Sequence, residues 1–240
     1  MPTGRIIAFP KGNPSIAEVL NRFLEAQRGI VGPKTRRRYE CLIPAWQEYL
    51  DRYGTWHLTR MERAIWKKYS RRTKYGFTQV FPPEMLVRSA PEFFGEYAME
   101  EIMDLQVLEY AGTIVRKLAK WLAEEKLLDP GEATALWHIG TKVKKEFLAA
   151  AAALLALDLR YSYRRPYDRP SWVGKYELVE VLPGRLRFRV RDQDLEVLVP
   201  LHVTNRCRPG WVFSLRLCWK RSKLVLVGAE KVNIFGWRNK

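Results

Sequence analysis

The stretch Arg185-Leu-Arg-Phe-Arg-Val-Arg191 alternates cationic and apolar residues without a break. A period of two is the side-chain period of a β-strand, so Arg185, Arg187, Arg189 and Arg191 share one face and Leu186, Phe188 and Val190 the other. Same-face residues on an extended strand recur at about 6.6 Å, close to the spacing of successive phosphates along one nucleic-acid strand. The chemistry on offer is neutralisation of a polyanionic backbone. Other basic runs belong to the same class. Lys34, Arg36, Arg37 and Arg38 place four cations within five residues, and Lys67, Lys68, Arg71, Arg72 and Lys74 form a second run opposed only by Glu62 between residues 60 and 76. Lys220 and Arg221, between Trp219 and Lys223, make a basic hairpin tip.

The whole chain agrees in sign. Its 240 residues carry 42 Lys and Arg against 26 Asp and Glu, a formal net charge of +16. That balance predicts attraction to a polyanion. Nucleic acid is the expected partner, DNA ahead of RNA. The charge is also segregated: Glu92, Glu96, Glu100, Glu101, Asp104 and Glu109 occur with no basic residue between 92 and 110. Some of these carboxylates are one helical turn apart, but a solvated helix face is the expected reading, because charged residues are mostly exposed.

Other chemistries find little footing. His57, His138 and His202 are far apart in sequence, and three cysteines, Cys41, Cys207 and Cys218, show no paired motif. Neither a metal site nor a disulfide framework is expected, and a reducing cytoplasm is the default compartment. No Gly-rich phosphate loop, Gly-x-Ser-x-Gly or His-Glu-x-x-His occurs, so neither a cofactor nor an enzyme is expected. The longest apolar run, Phe147 to Leu157, is too short to span a membrane, so no membrane partner is expected. Nor is the run between Arg5 and Pro10 long enough for a signal peptide.

Two kinds of pattern must position these residues. The first half of the chain has helical periodicity. Ser15-x-x-Glu18 and Thr59-x-x-Glu62 are capping boxes, and Ser89-x-x-Glu92 predicts a third cap for a short helix near Pro91. Tyr39, Leu42, Ile43, Trp46, Tyr49, Leu50 and Tyr53 form one stripe ending at Gly54, within which Pro44 predicts a kink or interruption. A helix from about Asp104 carries Leu105, Leu108, Val115, Leu118 and Leu122. Asp129-Pro130 opens a last helix through the alanines at 149–153, expected to connect two parts of the chain. The Pro-containing basic stretch at 161–172 reads as a linker.

From Val173 the pattern becomes short strands, 175–182, 185–191, 195–200, 211–219, 223–228 and 231–235, broken by Pro183-Gly184 and Pro209-Gly210. The predicted fold is α+β and segregated: a helical bundle over 1–130, a connecting helix over 131–160, the linker, and a small β-barrel of the OB or SH3-like kind over 173–240. Trp46, Trp66, Trp121 and Trp137 are expected in the core, whereas Trp172, Trp219 and Trp237 are candidate stacking platforms.

Within the helical half, Lys34-Thr35-x3-Tyr39-x2-Leu42-x3-Trp46-x2-Tyr49-Leu50 resembles the second helix of the core-binding domain of tyrosine recombinases of the phage-integrase type. Ala111-x2-Ile114-Val115-x2-Leu118-x2-Trp121-Leu122-Ala123, closing in Leu127-Leu128-Asp129-Pro130, is similar to that domain's last helix. The resemblance covers residues 15–130 and implies a bundle that clamps duplex DNA from one side. Pro44 departs from the family's continuous helix. The chain after 130 lacks the family's catalytic set, since the one His-x-x-Arg match, His57-Leu-Thr-Arg60, overlaps the cap at Thr59. The expected function is therefore non-catalytic binding of duplex DNA through phosphate contacts with low sequence specificity. The competing reading is an adaptor whose barrel binds a protein partner or an anionic ligand.

Overall fold

The computed structural model describes residues 14–70, 76–102, 104–162, 171–190, 193–220 and 223–236. Among the described residues seven helices precede a five-stranded antiparallel sheet, so the chain is α+β with its two classes segregated. It divides into two compact units. One comprises Met1–Phe93 with Glu100–Lys142; the other joins Phe94–Met99 to Val143–Lys240.

The helical unit begins with α1 (Ile16–Arg28), where Glu18 and Ser15 form the predicted reciprocal cap. α2 (Pro33–Tyr53) follows and ends at Gly54. Pro44 does not interrupt it: the proline ring lies on the exposed side, where the missing hydrogen bond is easily replaced by water. α3 (Arg60–Ser70) opens with the second predicted cap, in which the Thr59 backbone N–H donates to Glu62 at 2.7 Å. The third predicted cap is corrected. Ser89 lies inside α4 (Glu84–Glu92), fully buried, with Pro91 in the same helix. Its hydroxyl donates to Leu86 O at 3.2 Å and accepts from Trp46 Nε1 at 3.0 Å, so it serves the core. A π-helical turn at Phe93–Tyr97 leads into α5 (Ala98–Glu101), then α6 (Leu105–Glu124), capped by Asp104 through the Gln106 N–H.

Apolar side chains at helical spacing build the core of this unit: Val19, Leu20 and Phe23 from α1, Leu42, Trp46 and Leu50 from α2, Ile114, Leu118 and Leu122 from α6. Trp46 lies flat against Phe93, with ring centroids 5.4 Å apart and planes 3° from parallel. Trp137, expected in the core, is instead 36% exposed, with the Arg116 guanidinium 4.1 Å from its ring centroid.

α7 (Pro130–Ser162) runs 33 residues, with Pro130 at the first position as predicted. In the second unit its inward face is Val143, Phe147, Ala150, Ala153 and Leu157, all buried. Phe147 meets Phe94 edge to face at 6.2 Å. The acidic segment is correspondingly not a solvated face at this point. Phe93, Phe94, Tyr97 and Ala98 are buried, and Glu96 pairs with Lys175 at 2.5 Å.

The sheet consists of β1 (Ser171–Leu182), β2 (Arg185–Val190), β3 (Gln193–Leu198), β4 (Val212–Lys220) and β5 (Lys223–Asn233), with a one-turn helix α8 (Leu201–Thr204) after β3. The order is β3-β2-β1-β4-β5. Three hairpin-linked strands with the fourth returning beside the first make a Greek key, which β5 extends. The barrel expectation is corrected here. Edge strands β3 and β5 approach one another, but no ladder joins them among the described residues, and the sheet stays open. The strands predicted at 223–228 and 231–235 are one continuous β5, because the irregularities in its pairing with β4 take up the change in pattern. Leu186, Phe188, Phe213, Leu215 and Leu217 form the buried face, as their alternation predicts, with Phe188 and Phe213 edge to face at 5.4 Å. Gly184 adopts φ +74° in the two-residue turn between β1 and β2, a left-handed value that glycine takes without a steric penalty. The linker residues 163–170 lie outside the described residues.

Candidate nucleic-acid interface

The start of α2 gathers most of the first basic run. Gly32 precedes the helix with no side-chain cap, and Pro33 occupies its first position. The first turn contains no acidic residue, so Lys34, Arg36 and Arg37 stand at the positive end of the helix dipole. Cations there each cost about 0.3–1 kcal/mol at low ionic strength. Uncapped N–H groups and a positive dipole end also make this the type of helix terminus that accepts an anion. Arg36 is tied to Glu40 at 2.8 Å. Lys34 and Arg37 are exposed and form no ion pair among the described residues.

Arg38, one residue on, has a different environment. It is only 9% exposed, its guanidinium lies 3.6 Å from the centroid of the Tyr110 ring, and Nη2 reaches Gln106 Oε1 at 3.4 Å. Its buried Nε has no hydrogen-bond partner among the described residues. Arg38 is thus held against α6, which leaves Lys34 and Arg37 as the outward cations. Tyr110 was not singled out by the sequence; the signal for it was its place on the α6 stripe with Lys117 and Trp121, whose partners Tyr39 and Arg22 make similar cation–aromatic contacts.

The second run is partly visible. Lys67 and Lys68 are exposed in the last turn of α3, where cations favour the helix dipole. Arg71, Arg72 and Lys74 lie outside the described residues. α3 itself is fixed by Glu62, which is 1% exposed and takes Arg88 Nη1 at 3.1 and 3.2 Å. Burial would raise the Glu62 carboxyl, but hydrogen bonds from Thr59 and the Arg88 charge outweigh it and hold it below the usual carboxylate range. His57 of the His-x-x-Arg match is also structural: its ring is 5% exposed and Nε2 lies 2.9 Å from the Tyr49 hydroxyl oxygen.

The arginine strand is β2, and its three described arginines do face away from Leu186 and Phe188. They do not face outward alone. The register sets Arg187 between Glu180 of β1 and Glu196 of β3, and Arg189 between Glu177 and Asp194. Arg187 contacts Glu180 at 2.5 Å, and Arg185 reaches Glu196 at 3.1 Å. Arg187 and Arg189 are therefore the middle row of a charge ladder, each flanked by a carboxylate on both sides, while Arg185 lies in register with Leu182 and Leu198. Arg191 and Arg221 lie outside the described residues. Lys220 pairs in register with Lys223 at the end of the β4–β5 hairpin.

The chain matches no family model, no curated protein and no solved structure.

Among the described residues no group of three or more His, Cys, Asp or Glu side chains is gathered to hold a metal ion. No helix among them is long and apolar enough to cross a membrane. The three cysteines are unpaired; Cys207 is buried, and that burial pushes its thiol up to about 12. Of the aromatic platforms, Trp172 is 37% exposed and donates through Nε1 to the Tyr176 hydroxyl at 3.1 Å. Trp237 and the side chain of Trp219 lie outside the described residues.

Proposed function

We propose that the chain is a non-catalytic nucleic-acid-binding protein that holds the phosphate backbone of duplex DNA with little choice of sequence. The observation that carries this reading is the start of α2. An uncapped helix terminus presents Lys34 and Arg37 without a carboxylate in the first turn, a charge arrangement that folding disfavours and an anion relieves. Lys67 and Lys68 add a second exposed pair. The net charge of +16 gives long-range attraction to the same class of partner. The resemblance of residues 15–130 to a recombinase core-binding domain supports duplex DNA as the form bound. A five-stranded open Greek key with a helix after β3 is also the arrangement of OB-type modules, whose face over strands 2 and 3 takes oligonucleotides.

The charge ladder on that face favours a second reading for the sheet alone. Arginines already neutralised by Glu180 and Glu196 release few counterions on meeting a phosphate, whereas alternating rows of both signs suit a protein surface with the reverse pattern. Mobility shifts at 50 and 200 mM salt on duplex DNA, single-stranded DNA and RNA test the main reading. Tightest binding to duplex, weakened at least tenfold by the higher salt, is expected. Absence of binding to all three at low salt refutes it and leaves the protein adaptor. Supercoiled plasmid incubated with the protein is expected to stay intact and to carry no covalent adduct; a nicked product or an adduct would refute the non-catalytic reading.

A further inference from the structure

Of the 11 residues of α3 only Glu62 is buried. The helix is attached along one side. Glu62 takes Arg88 there, and the half-buried Trp66 meets Phe77 and Phe81 at centroid distances of 5.8 and 5.4 Å. At about 100° per residue, the opposite side is centred on Ala64. Arg60 and Lys67 stand about 40° and 60° to one side of it, Lys68 and Met61 about 40° and 60° to the other. All five are exposed, Met61 to 56%. The one carboxylate of α3 is the buried Glu62, and Arg60, Lys67 and Lys68 form no ion pair among the described residues.

This face has the form of a ridge with a small residue at its crest and cations on both shoulders. It is complementary to a groove whose two walls are rows of phosphates. An α-helix with its side chains is about 10–12 Å across, and the major groove of B-DNA is about 12 Å wide. Ala64 lets the crest approach the base edges without offering a hydrogen bond that would choose among them, and Met61 can touch thymine methyl groups. The major groove of A-form RNA is deep and narrow and excludes such a helix. A membrane surface suits the face less well. An interfacial helix turns a broad apolar side to the lipid, whereas the larger apolar residues Ile65 and Trp66 are half-buried and Met61 alone joins Ala64 among the exposed five.

We propose that α3 is the groove-entering helix of this protein, seated in the major groove of duplex DNA. Ala64 is foremost, with Arg60 and Lys67 on one phosphate wall and Lys68 on the other. The proposal rests on the reading that the chain binds duplex DNA, and adds to it which groove is used and which element enters.

Fluorescence anisotropy of the full chain tests it on two DNA duplexes of about 20 base pairs and one sequence, one of them with every cytosine replaced by glucosylated 5-hydroxymethylcytosine. The glucose fills the major groove and leaves the backbone charge as it was. The dissociation constant should rise at least tenfold on the glucosylated duplex, and as much on an RNA duplex of the same sequence. Ala64→Glu should weaken binding to plain DNA at least tenfold, with far-UV circular dichroism and thermal melting as in wild type. Ala123→Glu, the same charge change at an exposed position of α6, should weaken it less than about threefold. Arg60→Gln and Lys68→Gln, on opposite shoulders, should each flatten the salt slope by about 0.9. Equal affinity for plain and glucosylated DNA overturns the groove placement while backbone binding stands; no affinity for either duplex overturns both. Equal losses from the two glutamate variants show an effect of net charge alone and overturn the proposal. A response at one shoulder only lays α3 along a single backbone and does the same. Retention on phosphatidylserine vesicles that Ala64→Glu abolishes, with duplex binding untouched, assigns the face to a membrane instead.

Discussion

Replacing Arg187 and Arg189 together by glutamine separates the ladder seen in the sheet from the free stripe suggested by the sequence. The alternation alone predicts two solvent-facing cations, whose loss leaves stability unchanged and flattens the salt dependence of DNA binding. The register gives a different result. Each arginine lies between two carboxylates, Glu180 and Glu196 for Arg187, Glu177 and Asp194 for Arg189. Arg187 is 36% and Glu180 43% exposed, so each pairing is a surface one, worth about 0.2–1 kcal/mol. The Arg187–Glu180 ion pair is lost and Glu177 and Asp194 lose the cation between them, whereas Glu196 keeps Arg185. A total loss of about 1–2 kcal/mol follows, or roughly 2–8 °C in Tm for a chain of this size. Thermal melting of the full chain at 50 mM and 1 M salt measures it. The deficit should shrink by half or more at 1 M, where the screening length falls to about 3 Å. The slope of log affinity on log salt should flatten by less than about 0.9, the share of one free phosphate contact. An unchanged Tm at low salt, or a slope flattened by two full contacts, refutes the ladder argument.

Three further outcomes follow. Glu62→Ala removes the α3 cap and leaves Arg88 opposite a void; urea unfolding should show a loss of about 2–4 kcal/mol. Because the folded Glu62 carboxyl is held below its unfolded value, its contribution is fully present above about pH 4.3 and is lost as pH falls through the folded value. Wild type and Glu62→Ala should therefore converge in stability in acid, and a constant gap down to pH 2 contradicts the assignment. Gly140→Ala places a methyl 2.9 Å from Arg116 Cγ and 3.0 Å from the Gly112 carbonyl, so α6 and α7 must part, at about 1–3 kcal/mol by urea titration. Native protein treated with a thiol reagent at pH 8 should leave Cys207 unmodified until denaturant is added, because its thiol is buried and pushed up to about 12.

Much of this architecture was written locally. Ser15 and Thr59 announce their caps because each is followed by a glutamate three residues on, and Pro130 sits where a helix can accept a missing N–H. Ser89 carried the same signature and was misleading, since the buried Trp46 indole claimed its hydroxyl, a contact spanning 43 residues that no local pattern reports. The open sheet was likewise invisible, because closure depends on whether β3 and β5 form a ladder, a long-range matter. Of the carboxylates beside the arginine stripe, Glu180 alone is legible from the sequence. Counting outward from the two-residue turn at Pro183-Gly184 sets Glu180 opposite Arg187, whereas Glu177 reaches Arg189 only through the irregularity between Leu178 and Glu180, which no local pattern announces. Arg38 shows the limit from the other side. As one of three consecutive arginines it looks equivalent to its neighbours, and only the position of Tyr110 on α6 turns it inward.

The most direct test of phosphate binding at the α2 start is the salt slope of duplex binding for wild type and for Lys34→Gln with Arg37→Gln, measured by fluorescence anisotropy from 50 to 200 mM salt. Both side chains are exposed and make no ion pair among the described residues, so the fold should survive with stability changed by about 0.5 kcal/mol or less, or slightly raised as the helix dipole is relieved. Two contacts at about 0.9 each should flatten the slope by about 1.8. Duplex binding with an unaltered slope in the double variant would place the phosphate contacts elsewhere and contradict the account.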